Sequence, residues 1–430
     1  MRLQGAEDAA GAIERLCRFC RTPLKHTFAD LGVSPLSNSY LKAEDLNRME
    51  PFYPLHVFAC SNCFLVQLEE LSSPQEIFND YAYFSSFSDS WLEHARSYAH
   101  MAKERFQLGS GSRVVEIGSN DGYLLRFFKE LGIGVLGIEP AANVAETARE
   151  RGIETVVRFF DSTLAAELAA EGRQADLLVG NNVLAHIPAV NDLMNGLKKI
   201  LKPGGIISME FPHLLSLIEE NQFDTIYHEH YSYFSLTTAD TIFGSHGLRL
   251  FDAEELSTHG GSLRIYACHG EEEAFPRSER VEEMLEREER LGFKKIETYG
   301  AFDRRVKAVK REILKFLIGL KEEGKTIAAY GAPAKGNTLL NYCGIGPDFI
   351  DYTVDRSPHK QGTYLPGSRI PVYSPDKVFE TKPDYLVILP WNLKEEIAGQ
   401  MADIRKWGGK FVTLIPGVRV FLSPGRQRGN

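Results

Sequence analysis

No apolar run in the chain approaches the roughly 20 residues needed to span a bilayer, and Met1–Ala12 has too few apolar residues to read as a signal peptide. Positive charge is also in short supply. Against 58 Asp and Glu stand 49 Lys and Arg, for a formal net charge of −9, which argues against a nonspecific nucleic-acid binder while leaving room for a local basic pocket. Three signatures fail on spacing. The glycine turn at Gly118 is not G-x-G-x-x-G, the Lys335 turn lacks the G-K-[ST] ending of an ATP-hydrolysing loop, and H-E-x-x-H fails because Ser232 follows His228 by four residues and Phe234 follows His230. These absences predict a cytoplasmic protein with no membrane and no nucleic-acid partner; a monomer is the default.

What is present is ordinary in bulk and unusual in detail. With 430 residues, 43% hydrophobic and 25% charged, the chain is long enough for two or three globular domains. Of six cysteines, four form two pairs, Cys17-x-x-Cys20 and Cys60-x-x-Cys63, while Cys268 and Cys343 stand alone. Each pair presents two sulfurs on one tight turn. In a chain without a secretion signal, two such knuckles suit a tetrahedral thiolate zinc site better than disulfides. Four sulfur ligands fill the coordination sphere, so this zinc is expected to hold the fold and take no part in catalysis.

Arg113–Ile117 is β-rich and runs into Gly118-Ser119-Asn120-Asp121-Gly122, after which Tyr123–Leu131 reads as helix. Strand, glycine turn and helix in that order predict a nucleotide-binding unit, because glycine lets the backbone approach a ligand at the strand end. Glu139 ends the next strand, where a carboxylate can accept both hydroxyls of an adenosine ribose. A long amphipathic helix over Ser90–Phe106 precedes this unit. From Glu271 to Gly324 the composition turns to Glu, Lys and Arg with apolar residues at helical steps. Thr326–Tyr330, Ile350–Val354, Tyr385–Leu389 and Phe411–Ile415 then alternate with helical stretches, which predicts a second, parallel α/β unit. Small residues and a charge in Gly331-Ala332-Pro333-Ala334-Lys335-Gly336 suit a phosphate-cradling turn, with Lys335 as the substrate-binding residue.

The densest chemistry lies in Tyr227-His228-Glu229-His230-Tyr231-Ser232-Tyr233-Phe234. Imidazole titrates near neutrality and a phenol can hold a developing oxyanion, so the run supplies parts for removing a proton beside a carbonyl and stabilising the enolate.

Glu116, two residues ahead of G-S-N-D-G, resembles the first motif of class I S-adenosylmethionine methyltransferases. Asp176–Gly180 as fourth strand, Asn181–His186 as the loop at its end, Leu201-Lys202-Pro203-Gly204-Gly205 as a turn and Ile206–Glu210 as fifth strand continue the likeness. Together with the zinc knuckles, Y-H-E-H-Y-S-Y-F, Thr258-His259-Gly260-Gly261-Ser262-Leu263-Arg264 and A-Y-G-A-P-A-K-G, the whole chain resembles the S-adenosylmethionine-dependent C-methyltransferases of branched deoxysugars. The resemblance implies an α/β fold: a zinc-binding module over 1–72, a class I Rossmann-like methyltransferase domain over 73–270, a helical connector over 271–323 and a second Rossmann-like domain over 324–430. It also implies a nucleotide-linked 4-keto-deoxysugar, commonly a thymidine diphosphate sugar, methylated at carbon 3.

On that resemblance His230 is the base, Glu229 its orienting or polarising neighbour, and Tyr227, Tyr81 and His186 bind the sugar and steady the enolate; His230 and Tyr227 can exchange duties. Asn182 and His228 join Lys335 as substrate-binding residues. S-adenosylmethionine is expected against Glu116, Gly118, Asn120, Asp121, Gly122, Glu139 and Asn181, with Phe160 or Asp161 at the adenine edge. A nicotinamide-dependent sugar oxidoreductase and a non-catalytic nucleotide-sugar-binding scaffold are the alternative readings.

Overall fold

The computed structural model describes residues 15–71, 85–87 and 89–422. The chain opens with three antiparallel strands, β1 (His26–Ser34), β2 (Tyr53–Ala59) and β3 (Val66–Leu68). A helix over Asp89–Arg105 follows, close to the expected span. It buries Trp91, Ala95, Tyr98, Ala99 and Ala102, a stripe at three- and four-residue steps, with Asp89 in its first turn and Lys103 and Arg105 in its last, matching the helix dipole.

Parallel strands β4 (Arg113–Ile117), β5 (Gly134–Ile138), β6 (Thr155–Val156), β7 (Ala175–Asn181) and β8 (Leu201–Pro212) form the central sheet. The chain then detours. β9 (Ser232–Tyr233) pairs with β3 and completes the N-terminal sheet. It returns with β10 (Leu248–Leu256) and β11 (Ser262–His269), giving the central order β10-β11-β8-β7-β4-β5-β6 with β11 antiparallel to both its neighbours. This is the class I methyltransferase arrangement of a Rossmann-like sheet. Residues 201–205, expected as a turn ahead of a strand, lie inside β8 as an irregularity: Leu201 pairs with Ala175 and Ile206 with Leu177, and Gly204 takes the left-handed conformation that lets the extra residues loop out.

The last sheet comprises β12 (Ile327–Tyr330), β13 (Thr353–Val354), β14 (Val372–Tyr373), β15 (Tyr385–Ile388), β16 (Lys410–Thr413) and β17 (Arg419–Phe421), in the order β14-β13-β12-β15-β16-β17. All pairings are parallel except β16 with β17. β12 therefore sits at the point where the strand order reverses, the place where open α/β sheets bind ligands.

The connector does more than span. Its long helix, Ile296–Glu322, buries Tyr299, Phe302, Val306, Val309, Ile313, Leu317 and Leu320 in a core shared by β1, β2 and the C-terminal sheet. Phe302 stacks on Phe28 of β1 at 4.5 Å. At about 1.5–3 kcal/mol for each large apolar side chain buried, this stripe outweighs the connector's exposed ion pairs, each worth at most about 1 kcal/mol.

One buried charge fixes the preceding helix, Glu279–Arg290. Glu288, 1% exposed, accepts hydrogen bonds from His213 Nε2 (2.9 Å), the Leu236 and Thr237 backbone N–H groups (2.8 and 2.7 Å) and Thr237 Oγ1 (2.6 Å). It thereby satisfies the first N–H groups of helix Leu236–Ser245, just downstream of β9. Although burial pushes its carboxyl up, these donors pull it below the usual range, so the stabilisation holds above pH ~4.5 and is lost as pH falls through the depressed folded value. Glu288→Ala strands His213 and two helix N–H groups and is expected to cost about 3–5 kcal/mol in urea unfolding, with Glu288→Gln costing less.

Candidate active site and metal centre

The two cysteine knuckles fold alike. Cys17 N–H donates to Thr22 O and Cys60 N–H to Leu65 O, and a residue of positive φ, Arg21 or Phe64, closes each turn. The four Sγ atoms lie within 4.8 Å of one another, with Cys17–Cys63 at 3.6 Å and Cys20–Cys60 and Cys20–Cys63 at 3.5 Å. These spacings are far too long for disulfides and close to the ~3.8 Å edge of a tetrahedral zinc–thiolate site. Gln67 Nε2 donates to Cys17 Sγ at 3.2 Å and supports the set from outside. Four thiolates on two preformed turns fit structural zinc. Arg18, inside the first knuckle, reaches onward: its guanidinium donates to Leu68 O and, at 3.3 Å, to Pro188 O, and stands 5.6 Å from the Tyr231 ring.

At the carboxyl end of β4 the turn is tight. Gly118, Asn120 and Gly122 all have positive φ, and a Cβ at Gly118 would come within 2.5 Å of Val183 Cγ2, one at Gly122 within 2.9 Å of Ile153 Cγ1. Glu139 accepts the Asn120 and Ala141 N–H groups at 3.0 and 2.9 Å. Asp121 takes Ser86 Oγ and Arg151 Nη1. Asn181 Nδ2 donates to Tyr123 Oη at 3.2 Å, and Asn182 N–H to Glu210 O at 2.7 Å. Around this turn, Asp121 Oδ1, Asn181 Oδ1 and Asn182 Oδ1 are buried acceptors without a hydrogen-bond partner among the described residues, and the Glu116 carboxyl lies buried beside Tyr123. Burial pushes Glu116 well above the usual carboxylate range. A cluster of unspent acceptors beside a glycine turn fits the cationic amino acid portion of S-adenosylmethionine. Phe160, by contrast, packs its ring in the core against Gly196, and Asp161 caps helix Ser162–Ala170 by accepting Leu164 N–H at 2.7 Å.

Tyr227 to His230 forms a β-turn closed by His230 N–H on Tyr227 O at 2.9 Å. A turn brings its first and last residues together and throws the middle two outward. Accordingly the Tyr227 and His230 rings lie 4.0 Å apart, and His186, from the loop after β7, meets His230 edge-on at 4.8 Å. The middle two face the N-terminal unit. Glu229 accepts Asn38 Nδ2 at 2.6 Å, and His228 Nε2 donates to Pro54 O at 3.1 Å while its ring packs on Tyr53. His228, expected among the substrate-binding residues, is not brought to the His230 face. Tyr81 lies outside the described residues.

His230 Nδ1 sits 2.8 Å from Thr225 O. A carbonyl only accepts, so Nδ1 carries the proton and the basic lone pair is on Nε2. Burial, then the neighbouring His186, Lys335 and His259, hold His230 well below the ordinary histidine value, keeping it neutral. Burial likewise takes His186 and His259 down to about 4 and lifts Glu229 to about 7.

The C-terminal sheet closes the other side. Lys335, opening helix Ala334–Cys343 after β12, donates to Asn392 Oδ1 at 2.9 Å and lies 4.6 Å from the centre of the Trp391 ring. Trp391 Nε1 donates to Asp224 Oδ2 at 2.7 Å. Trp391 also covers Gly260, where any Cβ would collide with the indole. Asp224, Trp391 and Asn38 were not anticipated from sequence. The available signal was a Trp in the Pro-Trp-Asn segment just after β15, one of only three in the chain.

Replacing Cys20 or Cys63 by Ser is expected to lower zinc per chain by elemental analysis and lower the melting temperature with it, because β9 belongs to the sheet that the thiolates anchor. Protein purified without chelator that holds no zinc would remove the metal from this site.

Three family models match in tandem: one described as "Putative zinc binding domain" over residues 17–78, "Methyltransferase domain" over 91–252 and "C-methyltransferase C-terminal domain" over 257–416. The C-methyltransferase NovU of Streptomyces niveus is 38% identical over 404 residues, 94% of this chain and 96% of that protein. A ubiquinone biosynthesis O-methyltransferase of Roseobacter denitrificans is 31% identical over 97 residues, 22% of this chain and 39% of that one. The solved structure of the PH0226 protein of Pyrococcus horikoshii OT3 is 13% identical, covers 45% of this chain and 97% of its own, and has a TM-score of 0.35. With 38% identity to one C-methyltransferase over 94% of its length and methyltransferase family models matching in tandem, the chain belongs to the S-adenosylmethionine-dependent C-methyltransferase family.

Proposed function

We propose that the enzyme methylates carbon 3 of a nucleotide-linked 4-keto-deoxysugar, with a thymidine diphosphate sugar as the first candidate, by removing the proton beside the ketone and presenting the resulting carbanion to the methyl donor. The observation that carries this reading is the tautomer of His230. Its Nδ1–H is spent on Thr225 O, so a neutral Nε2 remains as base, flanked by a phenol and a second imidazole.

A hydrogen on carbon is acidic only when an adjacent carbonyl shares the charge, and both parts must be met at once. His230 Nε2 takes the proton. The Tyr227 hydroxyl and His186 are the donors for the ketone oxygen; Asn182 lies on the same loop as His186. Glu229, through Asn38, holds the turn that aims the base. S-adenosylmethionine supplies an electrophilic methyl group when bound, with Glu139 assigned to its ribose hydroxyls and Glu116, Asp121 and Asn181 to its polar end. If base and donor face opposite sides of the sugar, the carbon inverts.

The diphosphate is assigned to the C-terminal unit. Lys335 supplies a cation and a helix N-terminus at the reversal point of that sheet, and its charge already acts on His230.

The deciding experiment incubates the protein with labelled S-adenosylmethionine and a panel of nucleotide 4-keto sugars in D2O, following product mass and deuterium uptake beside the ketone. His230→Asn is expected to cut both by about 10²–10⁴-fold while leaving S-adenosylhomocysteine binding intact. Glu139→Ala should instead weaken S-adenosylhomocysteine by about 10–100-fold, the loss of charge-assisted hydrogen bonds. No methylated sugar and no uptake across a broad panel would end the proposal.

A further inference from the structure

Asp224 is a buried acid that the chemistry above leaves unused. It is 1% exposed, lies in the short helical turn Phe223–Thr225, and precedes the residue whose carbonyl fixes the His230 tautomer. Its carboxylate accepts Trp391 Nε1–H at 2.7 Å, and the positive charge of Lys335 and the backbone N–H groups of Asp224 and Thr225 also favour its ionised form. Burial of the carboxylate is costly and outweighs these partners, pushing its pKa up to about 6, so the space would be filled more cheaply by a neutral residue. The bond it makes crosses between sheets. Asp224 belongs to the segment between β8 and β9, and Trp391 to the loop after β15 at the reversal point of the C-terminal sheet.

Trp391 is held on three sides. Its N–H is on Asp224, its ring lies over Gly260 in the turn between β10 and β11, and Lys335 Nζ stands 4.6 Å from its ring centre while donating to Asn392. Gln222, two residues before Asp224, donates to Gly260 O at 2.6 Å, so the acid and the glycine turn are parts of one frame. Thr225 has its own tie, its hydroxyl donating to Gln222 O at 2.7 Å. A substrate group that displaces Lys335 or Trp391 therefore pulls on the residue next to the carbonyl that aims the base.

We infer that Asp224 is a positioning residue: by latching Trp391 it registers the C-terminal unit against the Tyr227–His230 turn, so that the nucleotide end of the substrate and the reacting sugar carbon are fixed relative to one another. This rests on the reading of His230 as base. The latch touches neither the proton nor the methyl group. Its contribution is the geometry between two elements, where an error of about 1 Å can cost on the order of 100-fold in rate.

The test compares Asp224→Ala, Asp224→Asn and Trp391→Phe in the full chain, by deuterium uptake and by methyl transfer. Asp224→Ala and Trp391→Phe are each expected to lower kcat for uptake and transfer by about 10–100-fold. Asp224→Asn, which keeps an acceptor for the indole N–H, should recover most of the loss. S-adenosylhomocysteine affinity and zinc content should stay at wild-type values, and Asp224→Ala with Trp391→Phe together should be no worse than the poorer single change, because both break one bond. Wild-type uptake with undiminished Trp391→Phe activity, or additive losses in the double variant, would overturn the latch and leave His230 as base. Absence of uptake in the wild type would instead fell the reading on which the latch depends.

Discussion

The hydrogen bond from His230 Nδ1 to the Thr225 carbonyl is the constraint on which the site depends. An unconstrained imidazole offers its lone pair on either nitrogen, and a protonated one offers none. Here a carbonyl that can only accept fixes the proton on Nδ1, while burial and the charge of Lys335 disfavour a second proton. A residue that would be a switch in water becomes a neutral imidazole with a defined basic atom.

Holding that bond requires three separate pieces of chain. The Tyr227–His230 turn leads into β9, the last strand of the sheet whose knuckles carry the zinc thiolates. Tyr231 N–H donates to Ala185 O at 2.8 Å, which locks the turn to the loop bearing His186, and that loop carries Val183, the residue pressed against Gly118. From glycine turn to base the path is therefore a few packed residues long. Arg18 braces both strands of this path from inside a zinc knuckle, through Pro188 and the Tyr231 ring. Structural zinc is thus close to the chemistry without entering it. Its energy goes into placing β9.

Legibility in the sequence followed distance along the chain. The knuckles were readable because C-x-x-C is a four-residue property, and pairing two of them across some 40 residues needs only the rule that zinc takes four ligands. The glycine turn and the alternating strands were readable for the same local reason. Within Y-H-E-H-Y-S-Y-F, composition announced a site but did not assign directions. Tyr227 and His230 meet, whereas His228 turns to Pro54, because the four residues form a β-turn and not the strand that an aromatic-rich run suggests. The Asp224–Trp391 bond joins residues 167 positions apart, and no periodicity reports such a pairing. Leu201–Gly205 shows the limit from the other side: a Pro-Gly-Gly turn signal was correct locally, yet the sheet absorbed it as an irregularity inside β8.

If His230 is the base, as proposed, its depressed pKa has a chemical consequence. A histidine held well below its usual pKa stays deprotonated, but it is also a weaker proton acceptor than histidine in water, and Brønsted behaviour makes proton transfer slower for it. On the proposed reaction, the site tolerates that only if the driving force comes from elsewhere, by stabilising charge on the ketone oxygen once the proton begins to leave. Low local dielectric supports this, since each donor and cation aimed at the oxyanion counts for more when water is excluded. Lys335 fits this division of labour. It lowers the basicity of His230 by repelling the imidazolium, and under the proposed mechanism the same positive field would favour the enolate. Weak base and strong electrostatic stabilisation are two results of one charge distribution, and both require the C-terminal unit to sit against the methyltransferase sheet.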